Sequence, residues 1–180
     1  PGEFVLVIGA GPIGLGLMEL SRIAGGNVIA MDVNADRLEF CSTVLDVKHI
    51  INASLTDATE QLKEITKGEM PPVVIDATGN LYAINKAFDY ISHGGRYILV
   101  GLQKGEIKFS HPEFHKREAT LMSSRNATRE DFERVIENIR EGRIIPRNYI
   151  THRLNFDSVP GQFSHLLDPA NKVIKAMIEV

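Results

Sequence analysis

The sequence lacks several features that mark particular classes of protein. It has no tryptophan and a single cysteine, Cys41, among 180 residues. One thiol cannot form an internal disulfide, so we expect a reducing compartment, the cytoplasm. The net charge of −3 is not the excess of lysine and arginine that nucleic-acid binding requires. No apolar run approaches the about 20 residues of a membrane-spanning helix. We therefore expect neither nucleic acid nor a membrane as a partner.

Short apolar runs alternate with segments of helical periodicity. The runs predict strands at residues 5–8, 28–31, 49–51, 73–76, 96–100 and 120–122, with a short extra strand at 105–109. This alternation predicts an α/β fold with a doubly wound, parallel, six-stranded sheet and right-handed crossovers. We expect residues 1–147 to form this domain and residues 148–180 to form a C-terminal appendage of different character.

Two of the predicted helices, residues 12–24 and 128–142, carry apolar residues at helical spacing. The apolar positions are Ile13, Leu17, Leu20 and Ala24 in the first helix, and Phe132, Val135, Ile136 and Ile139 in the second. Each set is predicted to form one face of its helix.

A G-x-G-x-x-G pattern directly follows the first predicted strand. In dinucleotide-binding folds the first glycine permits a tight turn, the second lets the backbone approach a pyrophosphate, and the third lets the helix pack close to the strand. The unpaired N–H groups and the positive dipole end of the helix favour the phosphates. We therefore predict cofactor contacts from Gly9, Gly11, Pro12, Ile13 and Gly14.

Asp32 closes the second strand, where an acidic side chain can accept hydrogen bonds from both hydroxyls of an adenosine ribose. Its charge would repel a 2′-phosphate, so the sequence favours NAD over NADP. Val33 is included in the predicted site. Arg37 lies one turn into the next helix, on the side where an adenosine would sit, and its position alone fits a cofactor contact or a solvated charge.

Two further turns follow the fourth and fifth predicted strands. Ala77, Thr78 and Gly79 form the first, and Gly101 begins the second. Ligands of open α/β sheets bind at the carboxyl ends of parallel strands. We therefore predict that both turns contact the cofactor.

His111 and His115 are four residues apart, which on a helix is a spacing compatible with metal binding. However, Pro112 lies between them, no third ligand has suitable spacing, and residues 116–117 are both basic. We predict a surface turn or short helix here, no metal site, and a core position for Cys41. No catalytic residue is predicted in the chain.

Five ordered blocks of the sequence resemble the medium-chain, zinc-type alcohol dehydrogenases, in the branch of polyol, threonine and sugar-acid dehydrogenases. The blocks are PGEFVLVIGAGPIG at residues 1–14, DVNADRL at 32–38, DATGN at 76–80, GGRYILVGL at 94–102 and SRNATREDF at 124–132. The likeness covers nearly all of the chain and implies a Rossmann domain that binds NAD(H).

The resemblance also implies roles for individual residues. It places Arg37 beside the adenosine, the backbone of Val100, Gly101 and Leu102 at the nicotinamide, Ser124 and Arg125 just beyond it, and Lys175 at the pyrophosphate. The sequence departs from the family at residues 44–47, where relatives have a Gly-Ala pair, and at Ser123, where glycine is common.

In that family the zinc ligands and proton-relay groups belong to an amino-terminal domain of GroES-like fold. The chain begins at Pro1, just before a core strand, so we expect it to be cut from a longer protein. Zinc would bind a secondary alcohol substrate, a polyol or sugar acid, and lower its pKa, and hydride would pass to NAD. The resemblance thus implies that residues 148–180 pack on that other domain and that this chain alone binds NAD weakly and catalyses nothing.

Other interpretations remain open. The chain could be a non-catalytic dinucleotide sensor, an S-adenosylmethionine methyltransferase domain, or part of a zinc-independent quinone or enoyl reductase. The resemblance further implies a homodimer through the sheet edge at residues 105–125, since an exposed edge is a template for pairing. Association through an uncovered apolar face at residues 150–163 is the competing explanation.

Overall fold

A computed structural model describes all residues, Pro1–Val180. The chain divides into two compact units, Pro1–Asn126 and Ala127–Val180, which are described separately. This division places the helix that follows Thr128 in the second unit. The functional assignment of residues 1–147 and 148–180 to different domains stays a prediction.

The first unit alternates strands and helices. Its strands are β1 (Phe4–Ile8), β2 (Asn27–Asp32), β3 (His49–Asn52), β4 (Val73–Asp76), β5 (Arg96–Leu99) and β6 (Thr120–Ser123). Its helices are α1 (Pro12–Ile23), α2 (Ala35–Thr43), α3 (Ala58–Ile65), α4 (Leu81–Ala87) and α5 (His111–Lys116), with a 3-10 turn at Phe88–Tyr90.

The six strands form one sheet in the order β3-β2-β1-β4-β5-β6, and every pair is parallel. The prediction of a Rossmann-type, doubly wound parallel sheet is confirmed. Ile8 pairs with Met31 on one side and with Asp76 on the other. The ends of β1, β2 and β4 therefore meet at the same edge of the sheet, at the point where the strand order reverses.

The central strands are buried because helices cover the sheet on both faces. Leu6, Val7 and Ile29 are fully buried. Side-chain caps fix the starts of two helices: Asn34 accepts a hydrogen bond from an N–H of α2, and Asp57 accepts from two N–H groups of α3.

The apolar face predicted for α1 is not the face that the helix buries. Ile13 and Leu20 are exposed, whereas Gly14, Leu15 and Met18 are buried. Gly14 packs directly on the end of β1, and this contact turns its own side of the helix toward the sheet.

The predicted strand at residues 105–109 is also wrong, because this segment has no strand pairing. Both edges of β5 are occupied by β4 and β6, so no partner remains for it there. The Lys108 N–H instead donates to Oδ1 of Asn85 at 2.9 Å, and the Phe109 ring stacks on Phe88. These side-chain contacts hold the segment as a loop.

The second unit contains α6 (Arg129–Arg140), β7 (Ile150–Asn155), α7 (Val159–Leu167) and β8 (Lys175–Glu179), with 3-10 turns at Pro146–Asn148, Phe156–Ser158 and Pro169–Asn171. A capping box between Thr128 and Asp131 begins α6. β7 and β8 form a two-stranded parallel sheet. No helix in the structure combines the length and apolar character needed to cross a membrane.

Candidate functional site

The glycine loop between β1 and α1 has a different steric requirement at each glycine. Gly9 has a φ of +99°, which favours glycine. A Cβ on Gly14 would lie 1.7 Å from the carbonyl oxygen of Gly9, so helix and strand approach more closely than any other residue allows. A Cβ on Gly11 would meet only Nη1 of Arg37, at 4.0 Å. The fold itself therefore requires glycine at positions 9 and 14, while position 11 faces open space.

The first turn of α1 has no internal partner for its backbone N–H groups. Gly11 is the N-cap and offers no side-chain acceptor, and Pro12 carries no N–H. In contrast, α2, α3 and α4 are each capped by an Asn or Asp side chain. The uncapped start of α1 leaves donors and the positive helix end facing the space beside Gly11.

The carboxylate of Asp32 joins the ends of β1 and β2. Its Oδ2 accepts a hydrogen bond from the N–H of Ala10 at 2.6 Å, and its Oδ1 accepts from Val33 and Asn34 at 2.7 and 2.8 Å. A carboxylate oxygen can accept two hydrogen bonds. Oδ2 thus keeps a lone pair for a ligand hydroxyl.

A cavity of about 500 Å³ opens at the carboxyl ends of β1, β2 and β4. Of the predicted site residues, it is lined by Gly9, Gly11, Asp32, Val33, Arg37, Ala77 and Thr78. It is also lined by residues that were not predicted, namely Ile8, Met31, Ala53, Asn80, Tyr82, Ala83, Lys86 and Tyr90. The structure therefore brings together the loops after three neighbouring strands.

Most of the lining residues that were not predicted belong to the start and one side of α4 and to the turn after it. This surface, the α4 wall, consists of Asn80, Tyr82, Ala83, Lys86 and Tyr90. Tyr82 is 79% exposed at this wall. Lys86 is held by Asp89, with Nζ and Oδ2 2.9 Å apart, and burial raises the pKa of Tyr90. One signal was available in the sequence: a helix that begins directly after Gly79-Asn80 starts at the carboxyl end of β4, so its first turns must border the same crevice.

Asp76, the last residue of β4, is fully buried. Its Oδ1 accepts hydrogen bonds from the N–H groups of Thr78 and Gly79, both at 3.1 Å, and its Oδ2 accepts from Oγ1 of Thr78 at 2.8 Å. Burial raises the pKa of the Asp76 carboxyl, although these hydrogen bonds oppose the change.

The glycines of the two turns after β4 and β5 contact each other. A Cβ on Gly79 would lie 2.7 Å from the carbonyl oxygen of Leu102, and a Cβ on Gly101 would lie 2.3 Å from the nitrogen of Gly79. This packing by itself requires glycine at both positions. It therefore accounts for these glycines without a ligand.

Several predicted site residues do not line the cavity. They are Pro12, Ile13, Gly14, Gly79, Val100, Gly101, Leu102, Ser124, Arg125 and Lys175. Ser124 is bonded through its N–H to the carbonyl of Leu99 at 2.9 Å. Lys175 begins β8 in the second unit and is exposed. Cofactor contacts from this group stay predictions.

No three His, Cys, Asp or Glu side chains lie together in a way that could hold a metal ion. The His111 and His115 rings are 5.7 Å apart on α5, without a third ligand. Burial raises the pKa of the Cys41 thiol to about 12. This chain's residues thus fit neither a zinc site nor a reactive thiolate.

The family described as zinc-binding dehydrogenase matches residues 12–141. The chain belongs to this family. Among curated relatives, L-galactonate-5-dehydrogenase of Escherichia coli K12 is 42% identical over 178 residues, which are 99% of this chain and 52% of the relative. D-xylulose reductase of Scheffersomyces stipitis is 31% identical, over 86% of this chain and 45% of that protein. The chain spans about half the length of these relatives.

Solved structures show the same fold. One, described as a short chain alcohol dehydrogenase from Escherichia coli CFT073 complexed with the cofactor NADH, superposes with a TM-score of 0.90 at 28% identity. The match covers 99% of this chain and 52% of that one. The open space at Gly11, the uncapped helix start and the cavity beside Asp32 fit a dinucleotide in this chain.

Proposed function

We propose that this chain is the NAD(H)-binding half of an NAD-dependent dehydrogenase. The observation that carries the proposal is the open space at Gly11, where a Cβ would meet nothing closer than Arg37 Nη1 at 4.0 Å. Steric contact within the fold accounts for Gly9 and Gly14, but not for Gly11. A pyrophosphate placed there would face the free N–H groups of α1.

The orientation of the cofactor follows from the charges around the cavity. Asp32 would accept a hydrogen bond from an adenosine ribose hydroxyl and repel a 2′-phosphate, which favours NAD over NADP. Arg37, which lines the cavity together with Asp32 and Val33, would face the adenosine. Tyr82 and Lys86 line the same cavity from α4.

We assign the complete enzyme to the oxidation of a secondary alcohol in a polyol or sugar acid. Relatives named L-galactonate-5-dehydrogenase and D-xylulose reductase support this substrate class. NAD, when bound, would supply the hydride acceptor. The present chain would bind and orient NAD. The zinc ligands would lie in the other half of the complete enzyme, which corresponds to the part of the relatives that this chain does not cover. The isolated chain would be inactive, and a reducing, cytoplasmic setting stays a prediction.

Two experiments test the proposal. Calorimetric titration of this chain with NADH should give saturable binding, and a parallel titration with S-adenosylmethionine should give none; binding of the second ligand alone would overturn the proposal. Zinc-loaded full-length protein should reduce NAD in the presence of one member of a panel that contains L-galactonate, xylitol and sorbitol. No turnover with any secondary alcohol would contradict the assigned reaction.

The exposed edge of the six-stranded sheet supports a homodimer. β6 has no neighbour on its outer side, and the Leu121 and Met122 side chains are 39% and 46% exposed. Sedimentation equilibrium should therefore give a dimer that Met122→Lys dissociates. A wild-type monomer at high concentration, or a dimer that the β6 substitution leaves intact, would exclude this edge as the interface.

A further inference from the structure

The main chain of Asp76 links the turn after β4 to the turn after β5. Its carbonyl oxygen accepts hydrogen bonds from the N–H groups of Val100 and Gly101, both at 3.0 Å. Its carboxylate meanwhile binds Thr78 and Gly79. Asp76, a single buried residue, therefore holds both turns through its hydrogen bonds.

Asp76 also sets how closely the two turns approach. A Cβ on Gly101 would lie 2.9 Å from Oδ1 of Asp76 and 2.3 Å from the nitrogen of Gly79. The carboxylate thus fills the space beneath the contact between Gly79 and Gly101. Its removal would leave a void and two N–H donors, those of Thr78 and Gly79, without an acceptor in a partly buried place.

The topology indicates which part of a dinucleotide would lie over these turns. The pyrophosphate would lie at the switch point between β1 and β4, and the adenosine over the β2 side, next to Asp32. The second nucleoside must then extend over the carboxyl ends of β4 and β5. The turns that Asp76 fixes, residues 77–80 and 100–102, stand at those ends.

We propose that Asp76 is a positioning residue for the nicotinamide riboside half of the cofactor, acting through the turns at residues 77–80 and 100–102 to which it is bonded. The inference rests on the proposed function. Asp76 is fully buried, so it would act through these turns and not by contact with the cofactor. It affects the second half of the cofactor because it fixes the backbone that would contact that half.

The test compares two ligands that differ only in the nicotinamide riboside half. NADH and ADP, which has the adenosine and the diphosphate but no second riboside, are titrated calorimetrically into wild type and into Asp76→Asn. Wild type should bind NADH more tightly than ADP. An amide lacks the charge and one of the two acceptor oxygens of the carboxylate, so the substitution should weaken NADH at least about tenfold, which is about 1.4 kcal/mol. It should leave ADP within about twofold, since the adenosine and pyrophosphate contacts are untouched.

Asp57→Asn is the matched control. Asp57 also accepts from the N–H groups two and three residues ahead, but it is exposed and does not line the cavity. The Asp57→Asn substitution should leave the affinity for both ligands unchanged. Amide exchange of Gly79 and Gly101, followed by NMR without ligand, should accelerate at least about tenfold in Asp76→Asn and stay unchanged in Asp57→Asn.

The outcomes separate the inference from the proposed function. An unchanged NADH affinity in Asp76→Asn, an equal loss for both ligands, or equal binding of both by wild type would overturn the positioning role only. A wild type that binds neither ligand would overturn the proposed function and the inference with it. If Asp76→Asn does not fold, Thr78→Val serves as the second variant, because it removes the hydroxyl that donates to the Asp76 carboxylate. Thr78→Val should weaken NADH binding, and Thr78→Ser, which keeps the hydroxyl, should bind NADH as wild type does.

Discussion

The backbone N–H of Ala10 donates a 2.6 Å hydrogen bond to Oδ2 of Asp32. The glycine loop after β1 and the end of β2 are therefore held together by the same carboxylate that would select the cofactor. This arrangement gives Asp32 two roles, one in the loop and one toward the ribose.

We expect Asp32→Ala to change cofactor preference. It removes the charge that would repel a 2′-phosphate and leaves the Arg37 guanidinium in place, so the ratio of NADPH to NADH affinity should rise at least about tenfold. Competition titrations measure this ratio. Glu39→Ala removes an equal charge from the exposed side of α2 and should leave the ratio unchanged. The account of Asp32 is wrong if both variants behave alike.

Glycine substitutions in α1 should have opposite effects on stability. Gly14→Ala would place a methyl group 1.7 Å from the Gly9 carbonyl oxygen, so the helix must move from the strand, at a cost of at least about 2 kcal/mol. Gly16 has nothing within 4 Å of its Cβ position, so Gly16→Ala should stabilise the helix by about 0.5–1 kcal/mol. Urea unfolding gives both values. Equal effects would contradict the close contact between Gly14 and Gly9.

The pH dependence of stability should report the burial of Asp76. Burial raises its pKa above the ordinary value of 3.8, so the folded state binds the proton more tightly than the unfolded state does. The contribution of Asp76 is therefore greatest below pH 3.8 and is lost as the pH rises through the raised pKa. The stability of wild type minus that of Asp76→Asn should therefore fall as the pH rises from below 3.8 through the raised pKa.

The contribution of Asp131 to stability should have the opposite pH dependence. Hydrogen bonds from Thr128 lower its pKa, so its contribution is present above pH 3.8 and is lost as the pH falls through the lowered pKa. The difference between wild type and Asp131→Asn should rise with pH. Urea unfolding over the same pH series checks both slopes. Two slopes of the same sign would refute the assigned environments.

Cys41 should be unreactive in the folded protein. Burial raises the pKa of its thiol to about 12, and only the thiolate is nucleophilic. At pH 8, Ellman's reagent should therefore titrate no thiol in the native protein and one equivalent in urea. A rapid reaction of the native protein with the reagent would show that α2 moves readily and exposes Cys41, and would contradict the prediction.

The glycine loop and the six parallel strands were predictable because each depends on a local pattern. Gly9, Gly14 and Asp32 lie where the strand-loop-helix motif requires them. The α4 wall was not predicted, since Tyr82 and Lys86 become neighbours of the cavity only through the packing of a helix. The loop at residues 105–109 has a strand-like pattern, but β5 has no free edge for it. Occupied edges and helix rotation are tertiary properties that local patterns do not contain.

Gly11 gives the most direct test of the central claim, that the open space beside it is the pyrophosphate site. Gly11→Ala should keep the fold, with a loss below about 1 kcal/mol for the altered N-cap, because its Cβ meets only Arg37 Nη1 at 4.0 Å. The same methyl group would occupy the place of the pyrophosphate. Calorimetric titration with NADH should show an affinity at least about tenfold below that of wild type, with Gly16→Ala unchanged. A folded Gly11→Ala protein that binds NADH as tightly as wild type would contradict the account.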